Sequence, residues 1–128
     1  MILTPTADNL PRAMEALNAF LDATDCGPKA RFALEAVLEE VFMNIVHHSG
    51  ATVAELDFEA RDGEILLRFA DDGVPYNPLL REAPDLTLSA EERSIGGLGV
   101  LMVKRMTDRQ TYAYSEARNR LTLAKRIS

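Results

Sequence analysis

Three groups of residues have types and spacings that could do chemistry. The first is the run E-V-F-M-N-I-V-H-H from Glu40 to His48. On a helix, Glu40, Asn44 and His48 fall along one side, drifting by about 40° per step. Leu38, Val41 and Ile45 mark another side, suited to a core. An amide oxygen such as that of Asn44 is a hard ligand for Mg²⁺, which keeps several waters and takes phosphate oxygens besides. A carboxylate one turn earlier, Glu40, can take a proton from a hydroxyl or a water. His47 and His48 are adjacent and point in different directions on a helix. They suit a helix end or a single hydrogen bond better than a metal chelate. On spacing alone the whole stripe reads more readily as a solvated helix face than as a site.

The second group is Asp71-Asp72-Gly73. A carboxylate at a strand end can accept a hydrogen bond from an exocyclic amine such as that of adenine. Gly73 would leave room for a flat ring against the backbone. Asp-Gly is also an ordinary turn, and alone it reads that way. The third group is Gly96-Gly97-Leu98-Gly99, at a loop-to-helix junction. There the backbone can approach an anion, and the helix start offers free N–H groups and the positive end of its dipole. No Lys-Ser/Thr pair follows Gly99, so this is not a P-loop. No suitable strand directly precedes it, so it is not a dinucleotide fingerprint. Alone it also fits a flexible hinge before a helix.

The elements that must position these groups follow from periodicity. Met1 to Thr4 reads as a short edge strand stopped by Pro5. Asp8 is a candidate N-cap, with Pro11 in the first turn. Leu10, Met14, Leu17 and Leu21 then mark a helix to about Ala23. Gly27-Pro28 restarts the chain into a second helix to about His48, ended by Ser49-Gly50. From Val53 the period becomes two. Ala54, Leu56, Phe58 and Ala60 alternate with Glu55, Asp57 and Glu59, and Asp62-Gly63 turns the chain into a returning strand with Ile65, Leu67 and Phe69. Pro75 to Arg93 has no convincing period and reads as a long loop, with a short helix near Ser89 to Arg93. A helix from about Leu98 to Met106 follows. Two strands close the chain, near Arg109 to Ser115 and Arg120 to Ile127, joined by a turn at Ala117 to Asn119.

Composition narrows the class. A chain of 128 residues, 47% hydrophobic and 27% charged, fits one soluble α+β domain spanning residues 1–128. Three helices on one face of a mixed, mostly antiparallel sheet would bury one stripe or face of every element, a two-layer α/β sandwich. The other sheet face would meet solvent, which suits Glu55, Asp57 and Glu59. A net charge of -6 argues against non-specific binding to nucleic acid or anionic membrane. Cys26 is the sole cysteine, so a disulfide framework and a cysteine metal site are excluded. No apolar run reaches the ~20 residues of a membrane span. No signal peptide is visible, and a cytoplasmic location is the default expectation.

Taken together and in order, the three groups resemble the boxes of the GHKL, or Bergerat-fold, ATPase superfamily. Glu40-x-x-x-Asn44-x-x-x-His48 is similar to its N box, Asp71-x-Gly73 to its G1 box and Gly97-x-Gly99 to its G2 box. The P-Y-N-P ending after Gly73, the compact length and the closing N-R-L-T-L-A-K-R strand look most like the bacterial anti-sigma factor serine/threonine-kinase branch. The resemblance covers the chain from the first helix to Ile127. It implies ATP and Mg²⁺ as cofactors, with Glu40 as general base and Asn44 as metal ligand. Asp71 would accept from the adenine amine, with Gly73 beside the ring. Gly97, Leu98 and Gly99 would form the phosphate-facing turn. Leu79 to Ile95 would be a lid over ATP, and Arg93 a candidate for reaching the outer phosphates. His48 would be structural. Tyr76 and Asn77 stand where the branch usually has Phe and Asp, and Val74 replaces a more common small residue or Pro. The lid lacks glycine between Gly73 and Gly96. These 128 residues hold neither the dimerisation and phospho-acceptor helix pair of a sensor histidine kinase nor a transducer domain, so neither kind of member is expected. The implied activity is phosphorylation of a small anti-sigma antagonist in a partner switch that also holds a sigma factor. A nucleotide-dependent binding module and a phosphatase activator share the same ATP site. The family also implies a homodimer through a sheet surface.

Overall fold

The computed structural model describes residues 1–80 and 97–127. Its strands are β1 (Ile2–Leu3), β2 (Ala54–Arg61), β3 (Glu64–Asp71), β4 (Arg109–Ser115) and β5 (Arg118–Arg126). Its helices are α1 (Leu10–Asp22), α2 (Pro28–Asn44) and α3 (Gly97–Met106). The sheet runs β1-β2-β3-β5-β4, and every neighbouring pair is antiparallel. The mixed, mostly antiparallel sheet expected from the sequence is antiparallel throughout. The hairpins β2–β3 and β4–β5 lie side by side through β3 and β5, a pairing that needs no parallel crossover.

The helices pack on one face. The period-two pattern sends Leu56, Ile65, Leu67, Phe69, Leu121 and Leu123 inward to meet Leu17, Leu21, Leu34, Leu38, Val41 and Phe42 in a single core. The expected α2 stripe of Leu34, Leu38, Val41 and Ile45 is buried. On α1, Ala13 takes a buried place, while Leu10 and Met14 are half-buried at the edge. Arg31 fastens α2 to α1, with its guanidinium on Asn18 Oδ1 (2.8 Å) and Asp22 Oδ1 (2.8 Å). Cys26, half-buried before α2, is a thiol whose pKa burial pushes up, which fits a structural role. On the outer sheet face Arg68 bridges Asp57 and Glu59, and Arg118 reaches Glu55. The acidic row on β2 is therefore answered by cationic side chains of β3 and β5.

Several expected boundaries shift. Asp8 lies in a 3-10 turn, Ala7–Asn9, and Asn9 takes the N-cap position of α1. The β2–β3 turn at Asp62-Gly63 is as expected, with φ of 53° and 75°. The β4–β5 turn is Glu116-Ala117, with φ of 54° and 59°, and Arg118 and Asn119 already belong to β5. α2 does not run as a regular helix to His48. It ends at Asn44 and widens into a π turn, Ile45–Ser49, closed by Gly50 in the left-handed region. Pro78–Leu80 forms a 3-10 turn, whereas the helix expected near Ser89 to Arg93 lies outside the described residues.

Candidate functional site

The C-terminal end of α2 and the C-terminal end of β3 meet in one cleft. Val41, Asn44 and Ile45 line it from α2 and its π turn, Phe69 and Asp71 from β3. Val103 of α3, Tyr112 of β4, and Asn119 and Leu121 of β5 complete the inner walls, and Tyr76, Pro78 and Leu79 close another side. The walls are mostly aliphatic and aromatic, with few polar groups, which is the composition of a small-molecule site.

Asp71 is the deepest of these polar groups, 5% exposed. Its Oδ1 accepts from Gly73 N–H (2.9 Å) and from Asn119 Nδ2 (3.1 Å). Among the described residues both donors meet the same oxygen, and no donor meets Oδ2. Gly73 is buried directly behind. A Cβ there would stand 2.3 Å from Ser49 O, so the close approach of the π turn, not an open space for a ring, is what requires glycine. Val74 N–H donates to Ser49 O (3.0 Å), and Ser49 Oγ donates to Ile45 O (2.7 Å) while accepting from Ala51 N–H (3.0 Å). The helix end and the strand end are thus joined backbone to backbone.

Asp72 faces outward and does different work. It accepts from Thr52 N–H (2.8 Å), the Thr52 hydroxyl and Val53 N–H (3.0 Å). The Thr52 hydroxyl first, and then the Val53 amide, hold its carboxyl well below the usual range, at about 2.

Asn44 and Asp71 are brought together on the cleft wall. Glu40 lies one turn before Asn44, half-buried, and is not among the lining side chains. His48 leaves the stripe it was expected to share. The π turn winds more residues per turn than an α-helix, and both His47 and His48 are exposed, their rings 6.2 Å apart. Gly97, Leu98 and Gly99 form the first turn of α3, whose Val103 reaches the cleft. Arg93 lies outside the described residues, as does nearly all of the expected lid.

The donor set can be compared with what ATP and Mg²⁺ need. A buried carboxylate acceptor between aliphatic walls suits a purine carrying an exocyclic amine. Among the described residues no cluster of three or more His, Cys, Asp or Glu side chains could cage a metal. One amide ligand from Asn44 suits Mg²⁺, which draws its other ligands from phosphates and water. The residue that sequence reasoning missed is Asn119. It is the last residue of the turn expected at Ala117 to Asn119, and its place at the head of the closing N-R-L-T-L-A-K-R strand is its only signal.

Comparison with known proteins adds a second line. The family described as a histidine kinase-like ATPase domain matches residues 3–125. Over 99 residues the chain is 29% identical to the serine/threonine-protein kinase BtrW of Bordetella bronchiseptica, an alignment covering 74% of this chain and 70% of that protein. Among solved structures it is similar to the RsbU and RsbW domains of Rv1364c from Mycobacterium tuberculosis, with a TM-score of 0.66 and 15% identity over 99% of this chain and 32% of that one. It is also similar to the histidine kinase AdeS of Acinetobacter baumannii, with a TM-score of 0.53 and 15% identity over 100% of this chain and 68% of that one. The two solved structures share its fold, and the chain spans about a third of the first.

Proposed function

The chain belongs to the histidine kinase-like ATPase domain family, the GHKL superfamily that its motifs resemble, and from that premise we propose that it is a serine/threonine protein kinase of the anti-sigma type. It takes Mg-ATP in the cleft and phosphorylates a small antagonist domain in a cytoplasmic partner switch that also engages a sigma factor. The observation that carries this reading is the meeting of Asn44 and Asp71 on one apolar cleft, with α3 contributing Val103 to the same walls. The likeness to BtrW supports the serine/threonine-kinase branch.

In this reading Asp71 accepts a hydrogen bond from the adenine amine while Val41, Ile45, Phe69 and Leu121 exclude water around the base. The N–H groups at the Gly97 to Gly99 turn meet phosphate oxygens at the start of α3. Asn44 would hold Mg²⁺, which when bound neutralises charge on the phosphates. Glu40 takes the proton from a seryl or threonyl hydroxyl of the partner as that oxygen bonds to the γ-phosphorus and the bond to ADP breaks. Positioning and charge stabilisation supply most of the rate in such transfers, so few catalytic groups suffice.

The test is transfer of labelled phosphate from γ-labelled ATP to the cognate antagonist. Glu40→Ala should keep nucleotide binding and lower transfer by about 10²-fold or more. Transfer at the wild-type rate would remove Glu40 from the base role. The place of Glu40 outside the cleft lining favours one second reading, a module in which nucleotide only shapes a partner surface or switches on a phosphatase. Tight nucleotide binding by the wild type with no labelled partner would select it.

A further inference from the structure

We propose that Asn119 is the positioning residue that makes Asp71 selective for an amine-bearing purine. This rests on the reading of the cleft as a nucleotide site. Asn119 is buried on β5, 48 residues from Asp71 in sequence, yet its side chain touches the whole G1-like segment. Its Nδ2 donates to Asp71 Oδ1 (3.1 Å) and Val74 O (2.8 Å). Its Oδ1 accepts from Tyr76 N–H (2.9 Å) and from the Tyr112 hydroxyl. The orientation of the amide is fixed by these partners' chemistry. A backbone N–H can only donate, while a carbonyl and a carboxylate can only accept, so a flipped amide would lose these contacts at once.

The consequence falls on Asp71. Gly73 N–H and Asn119 Nδ2 both hold Oδ1, so the carboxylate cannot turn about its Cβ–Cγ bond without breaking two hydrogen bonds. Oδ2 is then held as an acceptor toward the cleft. A donor at the purine 6-position, the amine of adenine, is rewarded. The carbonyl oxygen of guanine at that position would face an anionic oxygen and is rejected. Asn119 also holds Val74 and Tyr76, so the backbone beside the base is set by the same side chain.

Calorimetric titration of the full chain compares ADP with purine riboside diphosphate, which lacks only the amine. The wild type should prefer ADP by about tenfold or more, the size of one hydrogen bond to a charged acceptor. Asn119→Asp keeps the acceptor for Tyr76 and Tyr112 but removes both donations. Its preference should fall to within about twofold, as for Asp71→Asn, and the double variant should lose no more. Asn119→Ser, which lacks the reach to Asp71, should behave alike and stands in if the aspartate variant does not fold, folding being followed by circular dichroism. A folded variant that binds both nucleotides more weakly but keeps the wild-type ratio would overturn the proposal, because a merely structural role moves both equally. A wild type that binds ADP without preferring the amine would overturn it too. A wild type that binds neither nucleotide would instead sink the proposed function, and this inference with it.

Discussion

Asp71 and Asp72 are neighbours with opposite tasks. Asp71 is buried, held by Gly73 and Asn119, and lines the cleft. Asp72 is exposed and ties the end of β3 to Thr52 and Val53. Its carboxyl titrates at about 2 against an ordinary 3.8, so its anion is favoured by folding. A depressed folded value means that the contribution is complete above about pH 4 and is lost as pH falls toward 2. Asp72→Asn should therefore lower the urea midpoint near neutrality, and the gap to wild type should close between about pH 5 and pH 2. A gap that stays constant across that range would show that the charge of Asp72 is not what holds the loop. The resemblance to the G1 box singled out Asp71 of the two adjacent aspartates, and the structure buries it on the same strand face as Phe69, Leu67 and Ile65. The web around Asn119 was not legible, because apart from Tyr112 its partners lie 43 to 48 residues away, on and beyond the end of β3.

At the scale of elements, local signals located almost every helix and strand. Gly27-Pro28 opens α2, and Asp62-Gly63 turns β2 into β3 with the left-handed φ values such a turn needs. The turn into β5 was expected slightly late, at Ala117 to Asn119, because Glu116-Ala117 carries no glycine or asparagine, yet these two residues with side chains take the left-handed region. The end of α2 was misread for another reason. Spacing by four assumes an α-helix, and nothing in I-V-H-H-S announces the π turn that swings His48 out of the stripe. That turn brings Ser49 against Gly73 and locks the α2 end to the β3 end. Gly73→Ala tests the junction. Its Cβ would meet Ser49 O at 2.3 Å and Ser49 Cβ at 2.7 Å, and a backbone oxygen cannot move aside cheaply. The variant should be destabilised by about 2 kcal/mol, read as a lower urea or thermal midpoint. An unchanged midpoint would mean that the two ends are not closely joined in solution.

At the scale of the molecule, helices on one face of an antiparallel sheet leave the cleft at the edge of the core, where α2, β3, β5 and α3 converge. Period-two and helical patterns were enough to read that layering, and the ordered motifs were enough to place the chain in its superfamily. Patterns of period cannot reveal which distant side chains share a hydrogen bond, and so Asn119 emerged only from the fold. No helix among the described residues is long and apolar enough to cross a membrane. The central claim is that this cleft binds adenine nucleotide. An amide-resolved NMR titration of the full chain with Mg-ADP tests it most directly. Saturable shifts are expected at the backbone amides of Gly73, Val74, Tyr76, Gly97 and Gly99 and at the side-chain amides of Asn44 and Asn119. Absence of saturable binding, or shifts confined to outer-face residues such as Glu55, Arg68 and Thr122, would contradict it.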